Sequence, residues 1–208
     1  MENEKRHKTT VSRRDVLKGA GAVVGTGLVP RLALAIPQGD GPATLSATEY
    51  ATLDAISARL IPADENGPGA REAMAARYID RALGGALASS RALYVEGLAA
   101  LDSYAETSKG AAFVVLAGAD QDDVLADVQD GRAEGVPQGF FNTLRSHAIQ
   151  GTFSDPFYGG NAGFLGWDMI GYPGVRTAVA AEYQQMGVEH APNHVSVYDS
   201  SMFEPGED

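Results

Sequence analysis

The chain contains no cysteine among its 208 residues. It therefore cannot form a disulfide framework or a thiolate metal site, and it has no C-x-x-C-H motif for covalent haem attachment. An N-terminal lipidated cysteine is excluded for the same reason.

Basic residues are scarce beyond the N-terminus. Residues 1–35 hold seven basic and three acidic side chains, which leaves nine basic against twenty-four acidic ones, a net charge of −15, for residues 36–208. Only one lysine, Lys109, remains in that part of the chain. Affinity for phosphate backbones and anionic membranes depends on clustered lysine and arginine. The sequence therefore argues against a nucleic-acid partner, and membrane association is expected only through a complex.

Side chains suited to catalysis or metal binding are also few. Beyond His7 there are only three histidines. His147 falls on the apolar face of a predicted helix, which favours a hydrogen-bonded histidine in the core or at an interface. His190 and His194 have a metal-binding spacing, but Pro192 between them argues against a regular helix. No Walker loop, HExxH or Gly-x-Ser-x-Gly motif occurs, so we predict no catalytic, cofactor-binding or metal-binding residue.

The first 35 residues are typical of a cleavable twin-arginine export signal. Arg13 and Arg14 are followed by an aliphatic pair and a lysine, and the weakly apolar run that comes next is too short to span a bilayer. Ala33 and Ala35 supply the small-x-small pattern for signal cleavage. We therefore expect export in the folded state, to the periplasm or the extracytoplasmic face of the cytoplasmic membrane.

The remainder of the chain is predicted to form one domain with two flanking segments. Residues 36–44 are a Pro/Gly-rich linker, residues 45–176 the domain, and residues 177–208 a C-terminal extension. Because the domain's apolar residues recur at helical spacing, its fold class is mainly α, with an irregular C-terminal part rich in glycine and aromatic residues.

Five helices are predicted within this domain. The first begins at a capping box formed by Ser46 and Glu49, and the second carries Met74 on its apolar face. Strand-like alternation is short and occurs in only two runs, residues 113–116 and 195–198.

The composition changes after Gly151. Glycine, proline and aromatic residues crowd together around Trp167, the only tryptophan. Residues 151–174 are called the aromatic segment below. Glycines permit close backbone approach and aromatic rings offer large rigid contact areas, so this segment forms either a structured lid on the helical core or a docking surface.

Three polar residues of the aromatic segment, Asp155, Asn161 and Asp168, could form a carboxylate site. Structural roles explain two of them more simply. Asp155 precedes Pro156, a pair typical of a turn in which the carboxylate accepts hydrogen bonds from local amides. Asn161 follows two glycines and can adopt a left-handed backbone conformation.

Several motifs, in this order, resemble one known family. The aromatic segment carries GTFSDPFYGGN from Gly151 to Asn161 and GWDMIGYPG from Gly166 to Gly174. Over roughly residues 45–176 the chain is similar to the gluconate 2-dehydrogenase subunit 3 family. The earlier motifs that agree with it are RLIPAD at 59–64, GPGA at 67–70, YIDR at 78–81 and GL-x-x-LD-x-Y at 97–104.

The resemblance implies a non-catalytic small subunit. Members of the family accompany a large flavoprotein of the glucose–methanol–choline type, which holds FAD, and a multihaem cytochrome c subunit with haem c often completes the complex. Substrates of such complexes include gluconate, other sugar acids, polyols and glycosides. The small subunit is expected to stabilise, mature or co-export the flavoprotein and to hold no cofactor itself.

Aromatic side chains anchor many interfaces, so the aromatic segment is the expected contact with the flavoprotein. An alternative is an exported carbohydrate-binding module that stacks sugars on Trp167, Tyr158 and Tyr172. An independent hydrolase or lyase fits the sparse reactive groups least well. The residues expected at the partner interface are Asp155, Pro156, Phe157, Tyr158, Gly159, Gly160, Asn161, Trp167 and Tyr172.

Overall fold

The computed structural model describes residues 41–65, 67–176, 178–187 and 191–199. Over these residues the protein is mainly α-helical, as predicted, and contains no β-strand. Short 3-10 helices occur between and after the α-helices. The α-helices are α1 Ala47–Leu60, α2 Ala75–Leu83, α3 Arg91–Lys109, α4 Gly118–Gln129, α5 Phe140–Phe153 and α6 Leu165–Met169.

The predicted export signal lies outside the described residues. This applies to the arginine pair, Arg13 and Arg14, and to the predicted cleavage motif at Ala33 and Ala35. In the part of the chain that the structure describes, no helix is both long enough and apolar enough to cross a membrane.

Helix α1 begins at the predicted capping box. The Ser46 Oγ accepts a hydrogen bond from the Glu49 N–H at 3.3 Å, and Glu49 Oε2 accepts one from the Ser46 N–H at 2.7 Å. Two amides that would lack a partner at the helix start are satisfied in this way. Leu53 and Ile56 on the inner face are fully buried, and Pro62 follows the end of the helix.

Helix α2 holds the segment that leads into the domain. Its Asp80 is only 2% exposed. The Asp80 carboxylate accepts hydrogen bonds from the backbone N–H groups of Ala43, Thr44 and Leu45 at 2.5, 3.0 and 2.8 Å. Three amide donors satisfy this buried carboxylate, which forms no ion pair with a described residue, and they fix residues 43–45 against α2.

The prediction that Met74 lies on the apolar face of α2 is wrong. Met74 precedes the helix in a left-handed conformation with φ 58° and is 44% exposed. The helix begins at Ala75, whose N–H donates to the Ala70 carbonyl at 2.9 Å. The buried face of α2 therefore begins with Ala75 and Ala76, whose small side chains allow close packing.

His147 is a core histidine, as predicted. It lies on α5 and is 8% exposed, with Nδ1 3.0 Å from the Tyr94 hydroxyl of α3. The two rings are also stacked, with centroids 5.9 Å apart. Burial lowers the pKa of His147 and raises the pKa of Tyr94. Both side chains are therefore neutral at neutral pH, and their hydrogen bond joins α3 to α5 without a buried charge.

Neither strand candidate forms a strand. The first, residues 113–116, is a 3-10 turn. Its Phe113 N–H donates to Asp102 Oδ1 at 3.0 Å, and its carbonyl accepts from Gln121 Nε2 at 2.8 Å. Side chains thus satisfy backbone groups that a neighbouring strand would otherwise bind. The second, residues 195–198, likewise leads into a 3-10 turn.

Candidate functional site: the aromatic segment

Asn161 organises the interior of the aromatic segment. It is fully buried and has the left-handed conformation predicted for it, with φ 44°. Its Nδ2 donates to the Ser154 carbonyl at 2.8 Å, and its Oδ1 accepts from the Gly166 N–H at 2.7 Å. Its own N–H donates to the Gly151 carbonyl at 2.8 Å. One side chain therefore connects the end of α5 to the start of α6.

Two glycines allow the backbone to fold tightly around Asn161. A Cβ atom at Gly160 would lie 2.0 Å from the Gly151 carbonyl oxygen. A Cβ at Gly166 would lie 1.8 Å from the Thr152 carbonyl oxygen. Neither neighbour is a flexible side chain, so any larger residue at these positions would displace backbone.

Trp167 fixes the short helix α6 from within. The residue is 4% exposed, and its Nε1–H donates to the Phe153 carbonyl at 3.0 Å. Tyr172 packs edge-on to the indole at a centroid distance of 4.9 Å, and Phe164 lies at 5.1 Å. The indole therefore supports the aromatic segment from inside, where its polar N–H has a partner.

Asp155 forms the turn that the sequence predicts and also holds a distant part of the chain. Its carboxylate accepts from the Phe157 N–H at 2.9 Å, as expected for an aspartate before proline. It also accepts from the Ser196 Oγ at 2.6 Å and from the Val197 N–H at 2.9 Å. Residues 193–199 are thereby fastened onto the aromatic segment.

Aromatic rings complete this attachment. The Tyr158 and Tyr198 hydroxyls lie 2.6 Å apart, and Phe157 stacks on Tyr198 with ring centroids separated by 3.8 Å. The hydrogen bond to Tyr198, together with burial, raises the pKa of Tyr158 to about 12. Tyr158 is therefore a neutral hydroxyl at physiological pH and remains 43% exposed.

His194 belongs to the same attachment. Its ring stacks on Phe164 with centroids 5.1 Å apart, and its Nε2 lies 2.7 Å from Asp168 Oδ1. His190, the other member of the histidine pair considered from the sequence, lies outside the described residues. Within the described ranges, no three histidine or carboxylate side chains converge as metal ligands would.

The residues predicted to contact a partner are divided by the structure into an inner and an outer group. Gly160, Asn161 and Trp167 are buried and shape the aromatic segment. Tyr158 and Tyr172 are exposed and available for contact. The half-buried members of the set are Asp155, Pro156, Phe157 and Gly159.

Sequence reasoning missed the part played by residues 193–199. It assigned them to an extension beyond the domain, whereas Ser196 is 6% exposed and Tyr198 lies in the aromatic cluster. The only sequence pattern that could have indicated this attachment was the pair Ser196 and Tyr198 after a polar stretch. That pattern is too short to identify a partner forty residues earlier in the chain.

Two surface grooves lie away from the aromatic segment. One, of about 320 Å³, borders α1 and the turn after it, and both of its arginines, Arg59 and Arg71, are ion-paired. The other, of about 440 Å³, lies between α4 and α5, and its one charged side chain, Asp130, is paired with Arg132. The described charges in both grooves are thus engaged with neighbours.

Comparison with known proteins gives one match. The family model described as Gluconate 2-dehydrogenase subunit 3 matches residues 47–174, which is more than half of the chain and includes α1 through α6. Searches of curated proteins and of solved structures gave no match.

Proposed function

Since this chain belongs to the gluconate 2-dehydrogenase subunit 3 family, a family of small subunits of dehydrogenase complexes, we propose that it binds, stabilises and co-exports a flavin-dependent large subunit. The large subunit is of the glucose–methanol–choline type and holds the FAD. The small subunit contributes no catalytic residue. The complex oxidises gluconate or a related sugar, polyol or glycoside at the extracytoplasmic face of the membrane, and a cytochrome c subunit with haem c accepts the electrons.

The family match carries this proposal, and the aromatic segment supports it. Asn161, Asp155 and Trp167 direct their polar groups into the segment's own backbone. A segment held in this way presents its outer side chains in fixed positions, which lowers the entropic cost of binding. Tyr158 and Tyr172 are among those outer side chains and are of a type that anchors protein interfaces.

The geometry favours a docking surface over a sugar-stacking platform. A stacking platform needs an exposed ring face, but Trp167 is only 4% exposed and is flanked by Phe164 and Tyr172. Tyr158 is further engaged with Tyr198. Titration of the purified chain with gluconate, glucose and glycosides in a calorimeter tests the alternative. We expect no heat of binding, and saturable binding by the isolated chain would favour the carbohydrate-binding module.

Co-export is tested by disabling the export signal of this chain alone. Arg13→Lys combined with Arg14→Lys retains the positive charge but removes the arginine pair. We expect dye-reducing dehydrogenase activity to disappear from the extracytoplasmic fraction, because the flavoprotein would be retained together with its small subunit. Unchanged activity there would show that the flavoprotein is exported independently.

A further inference from the structure

Within the described residues, not every basic side chain of this acidic protein forms an ion pair with a carboxylate. All nine that follow the predicted leader lie in the described part of the chain, together with nineteen of the twenty-four acidic residues that follow it. With so many more acidic than basic residues, nearly every lysine and arginine is expected to have a carboxylate partner. Those with an ion-pair partner among the described residues are Arg59, Arg71, Lys109 and Arg132.

Arg77 and Arg81 stand out among the rest because they are neighbours. They lie four residues apart on α2, on the same face, and both are half-buried. Neither forms an ion pair with any described residue, and the one hydrogen bond from the Arg77 side chain to a described residue goes to the Met74 Sδ at 3.5 Å. Like charges at this spacing repel each other and destabilise a helix.

The carboxylate nearest in sequence offsets this repulsion only in part. Asp80 lies between the two arginines along the chain, but its oxygens accept hydrogen bonds from the amides of residues 43–45. Burial, followed by the positive charge of Arg77, lowers the pKa of Arg81. The nearby Asp80 carboxylate acts in the opposite direction, but no described carboxylate forms an ion pair with either guanidinium group.

The aromatic segment fixes the position of Arg81. Gly159 lies against its side chain, and a Cβ atom there would be 2.8 Å from Arg81 Nη1 and 3.1 Å from Cδ. Gly159 has φ 99°, a conformation that favours glycine. Tyr158, the preceding residue, is thereby brought to the edge of the same surface.

Met74 adds a second unusual feature to this surface. Its backbone has a positive φ, a conformation that is strained for residues other than glycine. Its side chain is nevertheless not buried in the core, because it is 44% exposed. Strain of this sort is frequent at functional sites. Arginine, tyrosine and methionine are also the side chains enriched at the centres of protein interfaces.

We propose that Met74, Arg77, Arg81 and Tyr158, here called the arginine face, bind acidic side chains of the flavoprotein large subunit. The Cα atoms of the two arginines lie about 6 Å apart along the helix axis, and each guanidinium group can bind a carboxylate through two parallel hydrogen bonds. Binding supplies each guanidinium group with the ion-pair partner that it lacks among the described residues. This inference rests on the proposed function, because it names the surface through which the small subunit binds the large one.

The test compares capture of the flavoprotein by tagged full-length chains expressed in the native host. Arg77→Gln combined with Arg81→Gln is expected to reduce the captured flavin by about tenfold or more, since charge pairs at an interface govern retention of the partner. The matched control combines Arg132→Gln with Arg145→Gln. It removes the same charge elsewhere and is expected to retain capture within about twofold, as exposed charges contribute little.

Stability separates a binding role from a structural one. Removal of two repelling charges is expected to leave the thermal midpoint of the arginine-face variant unchanged or higher, while capture is lost. Loss of capture accompanied by a clear fall in the midpoint would assign the arginines to folding and overturn the proposal. The Lys double variant, Arg77→Lys with Arg81→Lys, keeps the charge and is expected to capture an intermediate amount.

Failure of this inference is distinguishable from failure of the proposed function. If the native chain captures the flavoprotein and the Gln double variant captures as much, the arginine face is not the binding surface and the subunit role stands. If the native chain captures no flavoprotein at all, both are wrong.

Discussion

The helical core and the aromatic segment are stabilised in different ways. In the core, Leu53, Ile56 and Leu98 are no more than 1% exposed, and burial of such a side chain contributes about 1.5 to 3 kcal/mol. In the aromatic segment the central buried side chain is Asn161, which acts through directed hydrogen bonds. A hydrogen bond depends on both distance and angle, whereas apolar contacts tolerate small shifts.

This difference explains how one small domain can combine a core that tolerates small shifts of its side chains with a surface segment whose backbone is held in one position. The core sets the positions of α2 and α5, and the aromatic segment is then held against them by backbone contacts. Trp167 lies in the aromatic segment and is the only tryptophan. Its fluorescence therefore reports on that segment, while far-ultraviolet circular dichroism reports on the helices.

The largest effect is expected from Gly166→Ala. The new Cβ would lie 1.8 Å from the Thr152 carbonyl oxygen, so the backbone of α5 or α6 must move. We expect a loss of about 3 kcal/mol or more in the free energy of unfolding, measured by urea denaturation. Gly85→Ala is the control, because a Cβ there meets no atom within 4 Å. A small loss from Gly166→Ala would contradict the tight packing described here.

Leu98→Ala tests the core. Leu98 is 1% exposed on α3, and its truncation is expected to cost about 2 to 5 kcal/mol through lost burial and a residual cavity. Fluorescence and circular dichroism are expected to show coincident transitions, because the aromatic segment depends on the core beneath it. A fluorescence transition that stays at the wild-type urea concentration would show the two regions to be independent.

Asn161→Asp tests the aromatic segment at constant side-chain size. The new carboxylate can still accept from Gly166 but can no longer donate to the Ser154 carbonyl, and it buries a charge. We expect a loss of about 1 to 3 kcal/mol, with the Trp167 transition occurring at lower urea than the helical one. Asn142→Asp, on the exposed face of α5, is the control and is expected to change stability by less than about 0.5 kcal/mol. Coincident transitions in Asn161→Asp would remove the distinction between the regions.

The smallest effect concerns the pH dependence of the core. Folding lowers the pKa of His147 from its ordinary 6.5, so the unfolded chain binds more protons below that pH. The contribution of His147 is therefore complete above pH 6.5 and decreases as the pH falls below it. His147→Gln is expected to flatten that decrease in urea-unfolding measurements between pH 7 and 5. An unchanged slope would show that His147 is not the responsible group.

Much of the fold could be predicted from local sequence. The capping box at Ser46 and the turn at Asp155 depend on residues two or three positions apart, and both are confirmed. The left-handed Asn161 was predictable because two glycines precede it. Each of these features is determined by neighbours along the chain.

The remainder depends on distant residues and was not predictable from local patterns. The backbone groups of Phe113 are satisfied by Asp102 and Gln121, so an apolar run that resembles a strand becomes a turn. The attachment of Ser196 to Asp155 joins residues forty-one positions apart. The lack of an ion pair at Arg81 within the described residues is likewise visible only once the Asp80 carboxylate is seen to bind the amides of residues 43–45.

The most direct test of the account is purification of the tagged native chain from its host, followed by an absorption spectrum and mass spectrometry of the co-eluting proteins. We expect a yellow complex that contains a flavoprotein of the glucose–methanol–choline type and reduces a dye when the correct sugar is added. A colourless chain that elutes alone, under conditions where the flavoprotein is present in the same cells, would contradict it.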